Sequence, residues 1–332
     1  MTVIDADGHV TESAEQLVKY MDAPFRNRQL VFPIVPADGW DRRLIRKYHD
    51  TAGTADAWLT ALDKGGVEQA VLFPTLGLFM SFLKDRSWAV QFCRAYNSFI
   101  HEEFVKVSPR LKAVALLPVQ DPQAAAQELR RAVRELGHVG AMLAADGSHV
   151  LGDERFTPIY EEAQRLDVML AVHASGSHLG GAGVDLFPHT CSHPFGQMRQ
   201  LTSIVFEGIP ERFPDLRIAF LEAGAGWAPY WMERMDDEYD KRGEVEAPVL
   251  KKKPSDYVRS GKIYFSCEAD EWLLPQALER VGENQIVYAS DFPHWDHSFP
   301  GSIDEIRDRR DLTDTQKRKV LADNCRTLYK LQ

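Results

Sequence analysis

Four residues, Asp7, His9, His173 and Asp291, are of the types that hold a divalent cation, and each stands at or just past the end of a short apolar run. In an extended chain alternate side chains share a face, so the Asp7-Gly8-His9 segment presents a carboxylate and an imidazole together. His173 follows Met169-Leu-Ala-Val172, and Asp291 follows Ile286-Val-Tyr-Ala-Ser290. Two carboxylates cancel a divalent charge, and the four ligands leave room for a water on one Zn²⁺ or Mn²⁺ ion. Such an ion polarises a substrate oxygen or acidifies its bound water. Each residue alone has a plainer reading. Asp-Gly favours a turn, His173 fits a satisfied core histidine, and Asp291 fits an N-cap. Only their coincidence at one end of one fold favours the metal.

The elements that must bring them together follow from periodicity. Candidate strands are Val3–Asp7, Glu68–Pro74, Leu111–Pro118, Val139–Ala144, Val168–His173, Arg217–Glu222, Lys262–Cys267 and Gln285–Ser290. Amphipathic helical patterns separate them, among them Trp88–Val107, Pro122–Leu136 and Phe195–Ile209. Runs such as Ala113-Val-Ala-Leu-Leu117 are continuously apolar, as in strands buried on both faces. Eight β–α units in strict alternation predict an α/β fold, a (β/α)8 TIM barrel, as one domain over residues 1–332. An open doubly wound sheet is the runner-up, but no Gly-x-Gly-x-x-Gly follows the first strand. Residues 23–54 carry Phe25, Phe32, Pro33, Pro36 and Trp40 and read as a long insertion after strand one, placed as a lid. Residues 174–194, rich in Gly, Ser and His, read as an active-site loop after strand five.

Barrel chemistry sits at the C-terminal ends of the strands, where Glu222 joins the four candidate ligands. Glu222 can serve as a general base, hydrogen-bond a substrate hydroxyl, or simply close a salt bridge in the rim. His178 and His193 in the Gly-rich segment are candidates to line a substrate pocket. His189-Thr-Cys191-Ser-His193 lacks the second Cys/His pair that a structural zinc needs. Phe79 and Trp227, with Phe73, are candidates for an apolar wall or for core packing. His294 and His297, flanking Trp295, read as surface residues.

Bulk properties narrow the partners. A net charge of −10 argues against nucleic acid or an anionic membrane as partner, and the expected partner of an enzyme site of this kind is a small-molecule substrate. No run of 18 apolar residues is available to span a bilayer. The acidic N-terminus lacks a signal-peptide pattern, and the four cysteines have no Cys-x-x-Cys spacing. A cytoplasmic protein with reduced thiols is the expectation.

With these residues in view, the chain resembles the amidohydrolase superfamily, in the branch typified by aminocarboxymuconate-semialdehyde decarboxylase and γ-resorcylate decarboxylase. The resemblance rests on Asp5-Ala-Asp7-Gly-His9-Val-Thr-Glu12, Ala171-Val-His173, Glu211-Arg-Phe-Pro-Asp-Leu-Arg217, Phe220-Leu-Glu222-Ala-Gly224 and Ala289-Ser-Asp291-Phe-Pro-His294. The closing Asp323-Asn-Cys-Arg326-Thr-Leu-Tyr329 adds to it, so the similarity spans essentially the whole chain. It implies one divalent metal held by Asp7, His9, His173 and Asp291, and a homo-oligomer. Binuclear relatives bridge two metals with a strand-four Lys, which Gly140-Ala-Met-Leu-Ala-Ala145 lacks. The strand-one His-x-His of many members is Asp7-x-His9 here, and the usual strand-six His is Glu222. The resemblance implies non-oxidative decarboxylation of an aromatic or unsaturated acid, with Asp291 handling the proton that arrives on carbon. Hydrolysis of an amide, ester, lactone or C–C bond by metal-activated water is the alternative, with Asp291 taking the water's proton and Glu222 assisting. A non-catalytic binding barrel, which predicts no stoichiometric metal, is the third reading.

Overall fold

The computed structural model describes residues 1–27, 53–145, 149–174, 186–294 and 296–332. Most of the expected lid-like insertion lies outside these residues. The eight strands are β1 Ile4–Val10, β2 Gln69–Pro74, β3 Leu111–Leu116, β4 Gly140–Ala144, β5 Met169–His173, β6 Ile218–Leu221, β7 Ile263–Cys267 and β8 Ile286–Tyr288. Each pairs in parallel with the next, in the order β1 to β8, and helices follow the strands around the outside. This is the expected (β/α)8 barrel.

Local chemistry starts and stops these elements. The helix Pro122–Leu136 begins at Asp121, whose carboxylate accepts from the Ala124 N–H, with Pro at its first turn. It ends at Gly137, which takes the left-handed conformation that a side chain disfavours. Its buried face, Ala125, Leu129 and Ala132, repeats at helical spacing and packs on the barrel.

Two elements depart from expectation. Strand β1 does not stop at Asp7 but runs to Val10, all seven residues buried, so Asp7 and His9 lie within it. Its register against β2 shifts between Asp5 and Gly8, a local irregularity of the kind that re-aims side chains. The helix expected from Phe195 begins instead at Leu186 and runs to Phe206, with Pro194 inside it. The last part of the expected 174–194 loop is therefore helical. Its His/Thr/Cys/Ser run has no apolar period to announce a helix.

The seam between β8 and β1 is bridged by two backbone bonds, from Asp291 N–H to the Asp7 carbonyl (3.0 Å) and from His9 N–H to the Phe292 carbonyl (2.7 Å). Buried Asp5 reinforces it by accepting from the Ser290 N–H (2.9 Å) and hydroxyl (2.5 Å). At the same level, the Trp58 indole N–H donates to the His9 carbonyl (3.1 Å) and its ring lies over Gly8. A Cβ on Gly8 would come within 2.4 Å of that ring.

Gly8→Ala is accordingly expected to destabilise the fold by about 1–3 kcal/mol through overpacking. The second change Trp58→Leu should recover part of that loss in denaturant unfolding. An unaltered Gly8→Ala midpoint would show that this contact does not set the strand.

Candidate metal centre

The side chains of β1, β5 and the residues after β8 converge inside the mouth of the barrel. His9 Nε2 stands 3.5 Å from Asp7 Oδ1 and 3.4 Å from Asp291 Oδ1. His173 Nε2 stands 3.1 Å from Asp7 Oδ2. Two donors sharing one ion at about 2.0–2.2 Å lie roughly 3.0–3.6 Å from each other, so these separations suit ligation. Asp7 Oδ1, His9 Nε2 and Asp291 Oδ1 are buried and take no hydrogen bond from the protein. Buried polar atoms are rarely left so, and a cation is the partner that a carboxylate and an imidazole lone pair share.

The second layer of contacts fits the same reading. His9 Nδ1 donates to the Pro74 carbonyl (2.9 Å), which leaves the Nε2 lone pair facing the donors. Burial, with His294 and His173 beside it, pushes the His9 ring well below its ordinary range, so it stays neutral, as a ligating imidazole must. His173 Nδ1 donates to the Ala174 carbonyl (2.6 Å). Burial opposes charge on His173, but the Asp7 and Glu222 carboxylates outweigh it and raise the ring to about 10, so a cation binding here would have to displace its Nε2 proton. Burial lifts Asp291 well above the ordinary carboxylate range, with Asp296 and Asp7 adding to the effect. Crowded carboxylates of this kind are what a divalent cation relieves. The donor set fits one ion.

Glu222 completes the mouth by an unusual route. Leu221 is in register with inward-facing His173, so strict alternation would send Glu222 outward. Its φ of 61° instead turns the carboxylate back over the barrel, with Oε2 3.3 Å from His173 Nδ1. Burial raises this carboxyl to about 7, with His173 lowering it and Asp291 raising it. Gln197 straps the two strand ends, its amide donating to the Val172 (3.1 Å) and Leu221 (2.7 Å) carbonyls.

Among the other sequence candidates, half-buried His193 places Nε2 3.9 Å from Glu222 Oε1. His178 lies outside the described residues. Phe79 is buried in the short helix Leu76–Phe82, its ring 6.2 Å from that of Phe82. Trp227 packs edge-on against Phe265 at 5.4 Å. Its indole N–H donates to the Gly224 carbonyl (2.9 Å), two residues beyond Glu222. Phe73 flanks the donors, its ring 5.3 Å from that of His173.

The largest correction is His294. Read as a surface residue, it is fully buried, with its ring stacked on His9 at 3.9 Å and Nδ1 2.7 Å from Asp291 Oδ1. The available signal was its spacing, three residues after Asp291, across a turn closed by its N–H on the Asp291 carbonyl (2.8 Å). Asp5, Glu12 and Thr75 were also missed as parts of the site's framework, since buried supporting polar groups leave no spacing pattern.

A family model described as amidohydrolase matches residues 4–331. The chain belongs to the amidohydrolase family. A γ-resorcylate decarboxylase from Rhizobium is 26% identical over 316 residues, covering 90% of this chain and 92% of that protein. A 2-amino-3-carboxymuconate-6-semialdehyde decarboxylase from Dictyostelium discoideum is 24% identical over 296 residues, covering 86% and 79%. A structure of 5-carboxyvanillate decarboxylase from Novosphingobium aromaticivorans, with bound manganese, superposes with a TM-score of 0.78 at 19% identity, covering 99% and 97%. That likeness supports the fold.

A non-glycine residue at positive φ costs of order 1–3 kcal/mol. Glu222→Gly removes that strain and a buried carboxylate, so the variant is expected to unfold at higher denaturant, by about 1 kcal/mol, while turnover falls. A less stable variant would mean that Glu222 serves the fold instead of the site.

Proposed function

We propose that this chain is a decarboxylase, removing CO₂ without oxidation from an aromatic or unsaturated carboxylic acid with the help of one divalent metal ion. The observation that carries the reading is the convergence of Asp7, His9, His173 and Asp291 at the mouth of the barrel. The relatives named above, decarboxylases of carboxylated small molecules, support the reaction class. Asp7, His9, His173 and Asp291 would hold the ion. When bound, it supplies a positive charge for the substrate carboxylate and a neighbouring oxygen.

The chain's own residues then do the rest. His9 and His173 keep their Nε2 atoms aimed at one point because carbonyls fix their Nδ1 atoms. Asp291, with its carboxyl held high by burial, carries a proton to the substrate carbon. The bond from that carbon to the carboxylate breaks, its electron pair restores the unsaturated system, and CO₂ leaves. Glu222, half-buried over the mouth, is in position to bind a substrate hydroxyl, and Phe73 gives an apolar face behind the donors.

Protein purified without chelator should carry one divalent ion per chain, and stripping it should abolish CO₂ release until Mn²⁺ or Zn²⁺ is returned. A screen of aromatic carboxylates against lactones and esters, scoring CO₂ against acid production, separates decarboxylation from hydrolysis. Asp291→Asn should lower turnover by about 10²–10⁴, the usual worth of a positioned acid, with the metal still bound. Substantial remaining activity would sink the assignment, and absence of stoichiometric metal would favour a binding barrel.

A further inference from the structure

His294 lies among the donors, and its chemistry there has two versions. One makes it another metal ligand, since His9, Glu222, Asp291 and His294 each bring a ligand atom within 4.8 Å of the others. The other makes it the residue that orients Asp291. The distances decide. His294 Nδ1 is 2.7 Å from Asp291 Oδ1, an ion-pair contact rather than a hydrogen bond, and shorter than the roughly 3.0–3.6 Å between co-ligands of one ion. The donor pairs built on His9 and His173 fall in the co-ligand range, at 3.1–3.5 Å. Glu222 Oε1 is farther from the same Nδ1, at 3.6 Å.

The rest of the ring is held from outside the donor set. Nε2 meets the Thr75 hydroxyl at 3.2 Å. Thr75 is itself fixed by buried Glu12, which accepts from the N–H groups of Thr75 (3.0 Å) and Gly77 (2.9 Å). The ring stacks on His9 at 3.9 Å. A chain of contacts thus runs from Glu12 on the segment after β1, through Thr75 after β2, to His294 and Asp291 after β8.

We propose that His294 is a positioning residue that fixes the orientation of the Asp291 carboxylate toward the metal and the substrate carbon, with Thr75 and Glu12 as its anchor. The role in turnover rests on the decarboxylase reading above; the role at the metal does not.

The test therefore has two readouts on the purified full chain. The first is the visible absorption of the Co²⁺-substituted protein, together with Co²⁺ stoichiometry. His294→Ala should keep one Co²⁺ per chain but change its absorption band as Asp291 reorients. His294→Asn places a donor near the former Nδ1 and should restore the wild-type band, whereas His294→Gln, which reaches only toward Thr75, should not. The second is CO₂ release, where His294→Ala should lower kcat by about 10–100-fold with little change in KM, His294→Asn should recover most of it, and Thr75→Val should cost less. Loss of the ion from His294→Ala would overturn the proposal in favour of a ligand, and an unchanged Co²⁺ band would overturn it in favour of a packing residue. If the wild-type chain releases no CO₂ yet the Co²⁺ band responds as expected, the decarboxylase reading fails and the positioning role stands.

Discussion

Everything at the mouth depends on how the barrel closes. Strands β1 and β8 meet where the candidate metal donors stand, and the bonds that join them also place those side chains. Asp291 gives its N–H to the Asp7 carbonyl, and His9 gives its own to the Phe292 carbonyl, so the main chains of three candidate ligands form one seam. Asp5 grips both Ser290 donors from within the barrel, and burial lifts its carboxyl to about 6. The Tyr329 hydroxyl, at the far end of the chain, donates to the Ala6 carbonyl and seals the same strand (2.7 Å). A barrel has no free edge, so no strand can slip without moving the rest. That rigidity is what a site needs when its donors must stay within a few tenths of an ångström.

The electrostatics and the backbone bear the same mark. Three carboxylates and three imidazoles crowd the mouth, the histidines and Asp7 fully buried and Glu222 and Asp291 partly so, and each group shifts its neighbours. Glu222 and Asp291 also take positive φ angles, 61° and 52°, that side chains ordinarily avoid. Strain of this sort persists only where surrounding structure over-determines it, and here the Gln197 strap and the Ser290–Asp5 contacts do so. Charge crowding and strain thus sit together at the strand ends, the usual place for chemistry in this fold.

Much of this was legible beforehand. Eight apolar runs mark the strands to within a few residues, because strands buried on both faces cannot hide their composition. Asp7, His9, His173 and Asp291 stand out because each ends such a run. His294 did not, since a histidine beyond a Phe-Pro dipeptide has no period to place it inside or outside. Glu12 and Thr75 were silent for the same reason.

What the chain by itself determined is the alternation of strands and helices, and with it the residues at the strand ends. These follow from local periodicity and residue chemistry, which a linear reading contains. Only the tertiary structure decided which side chains meet across the mouth. The inward turn of Glu222 is set by one backbone angle, the burial of His294 by a turn folding onto β1, and the reach of Glu12 to Thr75 by strands side by side. Each joins residues dozens to hundreds of positions apart, or overrides alternation, and no one-dimensional pattern encodes such contacts.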